Sequence, residues 1–362
     1  MNEDGIRRGA RTAAVMLLVT LPALLAPGCR IMEGGPAEDI PPPVSAGPET
    51  EDAEPSGRQP GVVNIETEQN LRGTRAAGTG VVLTSSGLVL TNNHVIRGAT
   101  RIEGTDTDNR RIYTAEVVGY DRAGDIAVIR LEGASGLDAA AFASASDVQV
   151  GDVVTAVGNA GGKGGKPRIV TGRVTALEQS VTARDDSSGT TERLTGLIET
   201  NAPIKPGDSG GPLLNSGGKV IGINTAASAG LAQEGTETGK NHRGYAIPSD
   251  QALAVARQIQ RGESSTTVHI GPTAMLGVTV RSNRNSPGAV VAEIVPGSPA
   301  EAAGIPVGAA IVGFGGRSVD SPATLTTLML DRHPGDVVQI QWTTAQGASM
   351  SAAVRLAEGP PQ

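Results

Sequence analysis

The sequence predicts a mainly β protein that ends in a small α+β domain. The chain of 362 residues contains 50 glycines, 23 prolines and only 2% aromatic residues. Short runs of Val, Ile and Leu alternate with Gly, Asn, Asp and Ser, which is typical of short strands joined by tight turns. Helical spacing of apolar residues is confined to a few segments. A chain of this length is expected to form two globular domains, each with its own core.

Residues 1–29 have the organisation of an export signal. Three arginines precede an apolar run over residues 13–26, which is about as long as a signal-peptide core and short for a membrane span. The run ends in Ala-Pro-Gly-Cys, which resembles the lipobox of bacterial lipoproteins and predicts lipidation of Cys29 and attachment to the membrane. The alternative is an ordinary signal, or an uncleaved anchor, with an incidental cysteine.

Residues 30–60 predict a disordered tether, because Pro, Gly, Glu, Asp and Ser leave too little apolar surface to offset the entropy of ordering. The first folded domain is predicted over residues 61–262 and closes with a helix at 250–261, where Leu253, Ala256 and Ile259 share one face before the stop at Gly262. Its predicted strand pairs are 80–83 with 88–90, 115–120 with 126–131, 153–157 with 169–177, and 220–224 with 244–248.

The second folded domain is predicted over residues 263–362, with a short C-terminal tail. A polar link at 263–267 leads into strands around Val278, Val290 and Val337. The segments 299–303 and 322–330 are the predicted helices. This mixture predicts a small α+β module.

Composition excludes several classes of function. The formal net charge is -7, and no Lys/Arg cluster interleaved with aromatic residues is present, so the electrostatic footprint of nucleic-acid binding is missing. The single cysteine excludes an intramolecular disulfide and any metal site that needs two sulfurs. The Gly- and Lys-rich loop at 158–167 lacks the Gly-Lys-Ser/Thr ending of a phosphate-binding loop. We therefore predict no cofactor and no metal.

The string Gly-Asp-Ser-Gly-Gly-Pro at residues 207–212 places Ser209 in a glycine-rich turn. Nucleophilic catalysis needs a hydroxyl on a tight turn whose backbone N–H groups converge on one point, and flanking glycines permit that turn. The N–H groups of Gly207 and Ser209 are the predicted oxyanion donors. A serine in such a turn is commonly structural, but the full string is much more specific.

This string resembles the one that surrounds the nucleophile of trypsin-like serine peptidases, a resemblance that implies a double six-stranded β-barrel. It also implies a base in the first barrel and a carboxylate between the base and the nucleophile in the chain. Thr-Asn-Asn-His at 91–94 and Asp-Ile-Ala-Val at 125–128 match these two motifs. The implied roles are nucleophile for Ser209, general base for His94 and orienting carboxylate for Asp125. Asp121 is a nearby competitor for the acid, but it lies upstream in a turn.

Further strings narrow the resemblance to the HtrA (Deg) family, which joins this peptidase to one or two PDZ domains. They lie at 78–80, 91–95, 125–131, 157–159, 200–214, 220–225 and 245–249. Secretory chymotrypsin-type enzymes instead have disulfides and a cleaved N-terminus that pairs with the Asp before the nucleophile. The family resemblance implies activation by loop rearrangement. Asp208 departs from the family, which commonly has Asn there, and a carboxylate at this place needs a hydrogen-bond donor.

The second domain resembles PDZ domains. The segment formed by Met275, Leu276, Gly277 and Val278 is similar to the PDZ loop whose backbone N–H groups bind a peptide C-terminus. An ordinary strand turn is the alternative for this segment. The resemblance implies peptide C-termini as partners.

The predicted substrate pocket consists of Pro203, Ile204, Ile223, Asn224 and Thr225. Pro203 stands about where tryptic enzymes have the Asp that binds Lys or Arg. The sequence therefore predicts an apolar pocket that prefers small aliphatic side chains before the cleaved bond.

Together these features predict an exported serine endopeptidase at the cell envelope that acts on unfolded or mistargeted proteins without ATP. The alternative is a catalytically silent scaffold that binds peptides through the PDZ-like domain. The resemblance also implies a homotrimer, although residues 61–77 contain none of the aromatic residues on which such trimers are usually built.

Overall fold

The structure, a computed structural model, describes residues 39–43, 61–69, 73–184, 191–225, 243–282 and 287–362. The predicted signal, Cys29 and most of the predicted tether lie outside these residues. Among the residues described, no helix is both long enough and apolar enough to cross a bilayer.

The first barrel has six antiparallel strands in the order β5-β4-β1-β2-β3-β6, and pairing of β5 with β6 closes it. Strand β3 is followed directly by a single helical turn, α1, at Asn93–Ile96. The predicted hairpins β2–β3 and β5–β6 are both confirmed. The strands are β1 (Val62–Gln69), β2 (Thr74–Val82), β3 (Leu88–Thr91), β4 (Arg101–Asp106), β5 (Ile112–Asp121) and β6 (Ile126–Leu131).

The second barrel is closed in the order β10-β11-β12-β9-β8-β7, so the predicted double barrel is confirmed. The predicted pairs β7–β8 and β11–β12 are also present. The strands are β7 (Val153–Gly158), β8 (Arg168–Arg184), β9 (Thr191–Thr200), β10 (Pro212–Leu214), β11 (Val220–Thr225) and β12 (Gly244–Pro248).

Helix α2 (Ser249–Gln260) follows the second barrel and packs into a core shared by both barrels. Leu253 and Ile259 are fully buried, and burial of such side chains contributes about 1.5–3 kcal/mol each. Residues 39–43, within the segment predicted as a tether, lie against this helix: Ile40 is buried, and Arg257 donates to the Pro41 carbonyl over 2.8 Å.

The C-terminal domain has a sheet in the order β15-β16-β17-β19-β20, with β18 paired to β17, and a separate pair formed by β14 and β21. Its two helices start with Ser-Pro, where the serine hydroxyl of Ser298 or Ser321 accepts from the backbone three residues later. The elements are β14 (Thr273–Met275), β15 (Val278–Arg281), β16 (Ala289–Ile294), α3 (Pro299–Ala302), β17 (Ala310–Phe314), β18 (Arg317–Ser318), α4 (Pro322–Leu330), β19 (Val337–Thr343), β20 (Ser349–Arg355) and β21 (Ala357–Gly359).

The junction between the two parts differs from the sequence expectation. Strand β13 (Val268–Ile270), which falls within the segment assigned to the second domain, pairs with β5 of the first barrel. On β13, His269 is buried with its two ring nitrogens 2.8 and 3.1 Å from the carbonyl oxygens of Leu330 and Pro272. Near the end of the described chain, Asn93 on α1 donates to the Gln362 carbonyl over 3.2 Å. The C-terminal domain is therefore hydrogen-bonded to the first barrel beside α1.

Candidate active site

His94 lies on α1, the helical turn that follows strand β3. Its neighbour Val95 is buried and anchors the turn, whereas the His94 side chain is 34% exposed. Asn92, the residue before the turn, donates from its side-chain amide to the Asp125 carbonyl over 2.9 Å. The start of α1 is thereby fixed to the loop that carries Asp125.

Asp125 has a strained backbone at the start of β6, with φ at 52°. A left-handed conformation in a non-glycine residue costs of order 1 kcal/mol and is enriched at functional sites. The preceding turn is closed by Asp121, whose carboxylate accepts from the Ala123 N–H over 3.0 Å. Asp121 thus acts as a turn cap, and Asp125 is the carboxylate beside His94.

The carboxylate of Asp125 holds the His94 ring by its Nδ1 atom, at 3.0 Å from Oδ1 and 2.9 Å from Oδ2. A carboxylate only accepts, so Nδ1 carries a proton and the neutral ring has its lone pair on Nε2. The same carboxylate accepts from the backbone N–H of His94 over 3.0 Å and from the Thr225 hydroxyl over 3.2 Å. Among the described residues, no group of three or more His, Cys, Asp or Glu side chains is placed to hold a metal ion.

Ser209 is buried in a turn that requires glycine at positions 207 and 210. Gly207 and Gly210 have φ values of 97° and 83°. A Cβ atom at Gly207 would lie 2.2 Å from the Asn159 carbonyl oxygen, and one at Gly210 would lie 2.1 Å from the Thr79 carbonyl oxygen. The glycines on both sides of Ser209 are therefore required by close backbone approach as well as by conformation.

Thr79 on β2 connects this turn to the first barrel. Its N–H donates to the Ser209 carbonyl over 2.8 Å, and its hydroxyl donates to the Gly207 carbonyl over 2.7 Å. Its own carbonyl accepts from the Thr91 hydroxyl over 2.7 Å, three residues before His94. Neither threonine is among the predicted site residues, because their link to the nucleophile turn depends on the contact of Thr79 with Gly207, which is 128 residues away in the chain.

The two halves of the site meet at Gly78. A Cβ atom there would lie 2.6 Å from the Val95 side chain and 3.2 Å from the Ser209 carbonyl oxygen. The residue that follows His94 and the predicted nucleophile therefore both pack on Gly78. The structure brings His94 and Asp125 into direct contact and places the backbone of Ser209 beside α1.

The predicted oxyanion donor Gly207 has a fixed peptide orientation. The carbonyl of Pro206 accepts from the Gly161 N–H over 2.8 Å. In a trans peptide the C=O and the following N–H point in opposite directions. The Gly207 N–H is therefore directed away from the 158–167 loop. This loop contacts the opposite side of the turn, through the Gly161 N–H.

The predicted pocket residues fall into two groups. Pro203 and Ile204 are partly exposed, and Ile204 packs closely on Gly244. Ile223, Asn224 and Thr225 are fully buried on β11. Thr225 contacts Asp125, a role that sequence reasoning missed, whereas the assignment of these residues to the pocket stays a prediction.

The predicted PDZ loop has its carbonyl groups turned inward. The Leu276 carbonyl accepts from the Ala300 N–H and the Gly277 carbonyl accepts from the Val295 N–H, each over 2.9 Å. Gly277 has φ at 82°, and a Cβ there would lie 2.2 Å from the side chain of Ser298. The next strand, β15, is the edge of its sheet among the described residues, as strand addition by a peptide requires.

Two family descriptions match the chain in the regions of these two sites. Residues 78–223 match the trypsin-like peptidase domain. Residues 274–346 match the PDZ domain. The first match contains His94, Asp125 and Ser209, and the second contains the 275–278 loop.

Curated relatives extend the similarity across most of the chain. Serine protease PepD of Mycobacterium tuberculosis is 33% identical over 82% of this chain and 64% of its own length. Periplasmic pH-dependent serine endoprotease DegQ of Escherichia coli is 36% identical over 73% of this chain and 55% of its own length. Serine protease Do-like HtrA of Bacillus subtilis is 28% identical over 82% of this chain and 69% of its own length. The chain thus spans less than two thirds of PepD and of DegQ.

Proposed function

This chain belongs to the HtrA family, in which a trypsin-like peptidase domain precedes a PDZ domain, and we propose that it is a serine endopeptidase with the triad His94, Asp125 and Ser209. The observation that carries the proposal is the contact of the Asp125 carboxylate with His94 Nδ1, beside the glycine turn of Ser209. The relatives are named serine proteases, which agrees with this activity.

In the proposed mechanism Ser209 attacks the scissile carbonyl while Nε2 of His94 accepts the hydroxyl proton. The imidazolium that forms is stabilised by Asp125, which also keeps the ring in the tautomer that exposes the Nε2 lone pair. His94 then transfers its proton to the leaving amine, and an acyl-enzyme remains. Water attacks this acyl-enzyme by the same steps, with His94 again acting as the base. No step requires a nucleotide, and the sequence has no nucleotide-binding motif.

Backbone N–H groups of Gly207 and Ser209 stabilise the tetrahedral intermediate in this mechanism. Such donors act on charge that develops only in the transition state, and loss of one lowers kcat by about 10²–10³-fold. The Gly161–Pro206 hydrogen bond supports this role because it directs the Gly207 N–H away from the 158–167 loop.

We assign unfolded or mistargeted proteins as substrates and peptide C-termini as ligands of the PDZ-like domain. The inward carbonyls at 276 and 277 and the edge position of β15 support peptide addition. An exported location is supported by the signal-like residues 1–29 and by relatives named periplasmic. Lipidation at Cys29 and assembly into a homotrimer remain predictions from the sequence; mass spectrometry of the mature N-terminus and sedimentation test them.

A fluorophosphonate probe should label the chain once, at Ser209, because such probes react with an activated serine hydroxyl. The measurement is mass spectrometry of the labelled peptide, followed by casein hydrolysis, which labelling should abolish. The alternative function, a silent peptide-binding scaffold, would be supported by retained peptide binding with neither labelling nor hydrolysis.

Cleavage profiling of an unfolded protein should show Val, Ala or Ile before the cut bond. The Arg168 guanidinium donates to the Pro203 carbonyl over 2.9 Å, so a positive charge lies beside the predicted pocket and disfavours cationic side chains. A profile dominated by Lys and Arg would contradict this assignment.

A further inference from the structure

The carboxylate of Asp208 is buried between the two proposed oxyanion donors. Its side chain is only 2% exposed, and a Cβ atom at Gly158 would lie 2.7 Å from its Oδ1 atom. Among the described residues, no hydrogen-bond donor reaches Oδ1. Burial raises the pKa of Asp208, because a charged carboxylate is poorly solvated at this place. The buried charge of this carboxylate must therefore be stabilised by donors to its other oxygen.

Two donors converge on that other oxygen, Oδ2. The backbone N–H of Lys205 donates over 3.0 Å, and the Arg168 guanidinium lies 3.3 Å away. Both the Lys205 N–H and the charge of Arg168 lower the pKa of Asp208 and so oppose the effect of burial. Arg168 also donates to the Pro203 carbonyl over 2.9 Å. The Arg168 guanidinium, at the start of β8, therefore contacts both Pro203, where the chain enters the turn, and Asp208, the residue before the proposed nucleophile.

We propose that Arg168 is a positioning residue for the oxyanion turn: it neutralises buried Asp208 and so keeps the N–H groups of Gly207 and Ser209 converged. This inference rests on the proposed peptidase function. The cation comes from the folded chain itself, so the turn is held without cleavage of the polypeptide. Arg168 is 31% exposed, whereas Asp208 is almost inaccessible, so displacement of the arginine leaves a charge that water cannot reach.

The test is a double-mutant cycle on the full chain with kcat and KM for a peptide substrate, after hydrolysis by the wild type has been established. R168M should lower kcat about 10²-fold, the effect of losing one oxyanion donor, with little change in KM. R168K should recover part of the loss, because it restores the charge without the guanidinium geometry. In the D208N background, R168M should have an effect several-fold smaller, since no buried charge remains to be neutralised.

The kcat ratio of R168M to wild type should also depend on pH. The charged groups that face Asp208 are Arg168 from β8 and Lys205 from the turn. Without Arg168 the pKa of Asp208 rises further, because the charge that opposes the effect of burial is lost. The carboxylate of R168M therefore becomes neutral as pH falls, and the kcat deficit should shrink toward acidic pH and be largest at the alkaline end of the profile. A simple packing role for Arg168 predicts a ratio that is constant with pH.

Several outcomes would overturn the inference. They are equal kcat for R168M and wild type, an equal effect of R168M in both backgrounds, and a constant kcat ratio across pH. If the wild type hydrolyses nothing, the proposed function fails, and the Arg168–Asp208 coupling is measured by urea unfolding of the same four proteins. R168M should then lower the unfolding midpoint with Asp208 present and change it less in the D208N background. Equal midpoint shifts in the two backgrounds would overturn the coupling itself.

Discussion

Replacement of Ser209 with alanine is expected to lower kcat for casein hydrolysis about 10⁶-fold. Attack on the carbonyl requires the hydroxyl, while the fold does not: the backbone of Ser209 is held by the Thr79 N–H and by the flanking glycines. The measurement is steady-state hydrolysis of fluorescent casein together with binding of a casein-derived peptide to the same variant. Peptide binding should be retained, because the substitution removes one oxygen atom and no backbone contact.

The chain offers a matched control for this substitution in a second Ser-Gly-Gly segment at residues 216–218. Ser216 is exposed in the turn between β10 and β11. S216A should hydrolyse casein at the wild-type rate, which separates the chemistry of the nucleophile from the mere presence of a serine in a glycine-rich turn. Hydrolysis by S209A at the wild-type rate would refute the assignment of the nucleophile.

Local patterns in the sequence predicted most of the fold. The hairpins of both barrels follow from short apolar runs separated by turn residues, and helix α2 follows from apolar residues at helical spacing. The two predicted helices of the C-terminal domain are also present. These features depend on neighbours within about a dozen residues. His94 and Asp125 were predicted as site residues because each lies in a motif that resembles one of the family.

The contacts that complete the site could not be predicted in this way. Arg168 and Asp208 are 40 residues apart, Thr225 and Asp125 are 100 apart, and Thr79 and Gly207 are 128 apart. Each pairs a common polar side chain with a partner that only the closed barrels bring near. The position of β13 is a similar case: its three residues join β5 through a register set by the whole barrel. Nothing in a short apolar segment specifies its partner.

The second large effect is expected for Asp125. D125N should lower kcat about 10⁴-fold near neutral pH. Asparagine tolerates the left-handed backbone found at this residue, so the loop geometry should persist. Its amide donates to His94 Nδ1 where the carboxylate accepted, and this moves the ring proton to Nε2. His94 then has no lone pair to receive the proton of Ser209, which is the physical cause of the lost rate.

Two neighbouring substitutions make the assignment of the acid testable. D121N keeps an oxygen that accepts from the Ala123 N–H and should change kcat only a few-fold. T225V removes one of the donors to the Asp125 carboxylate, a net loss of about 1 kcal/mol, and should lower kcat roughly tenfold or less. The expected order of damage is therefore D125N, then T225V, then D121N. A larger loss of kcat in D121N than in D125N would identify Asp121 as the catalytic acid instead. The acid fixes the tautomer of the histidine ring, so replacing the acid with its amide must reverse that tautomer and cause the larger loss.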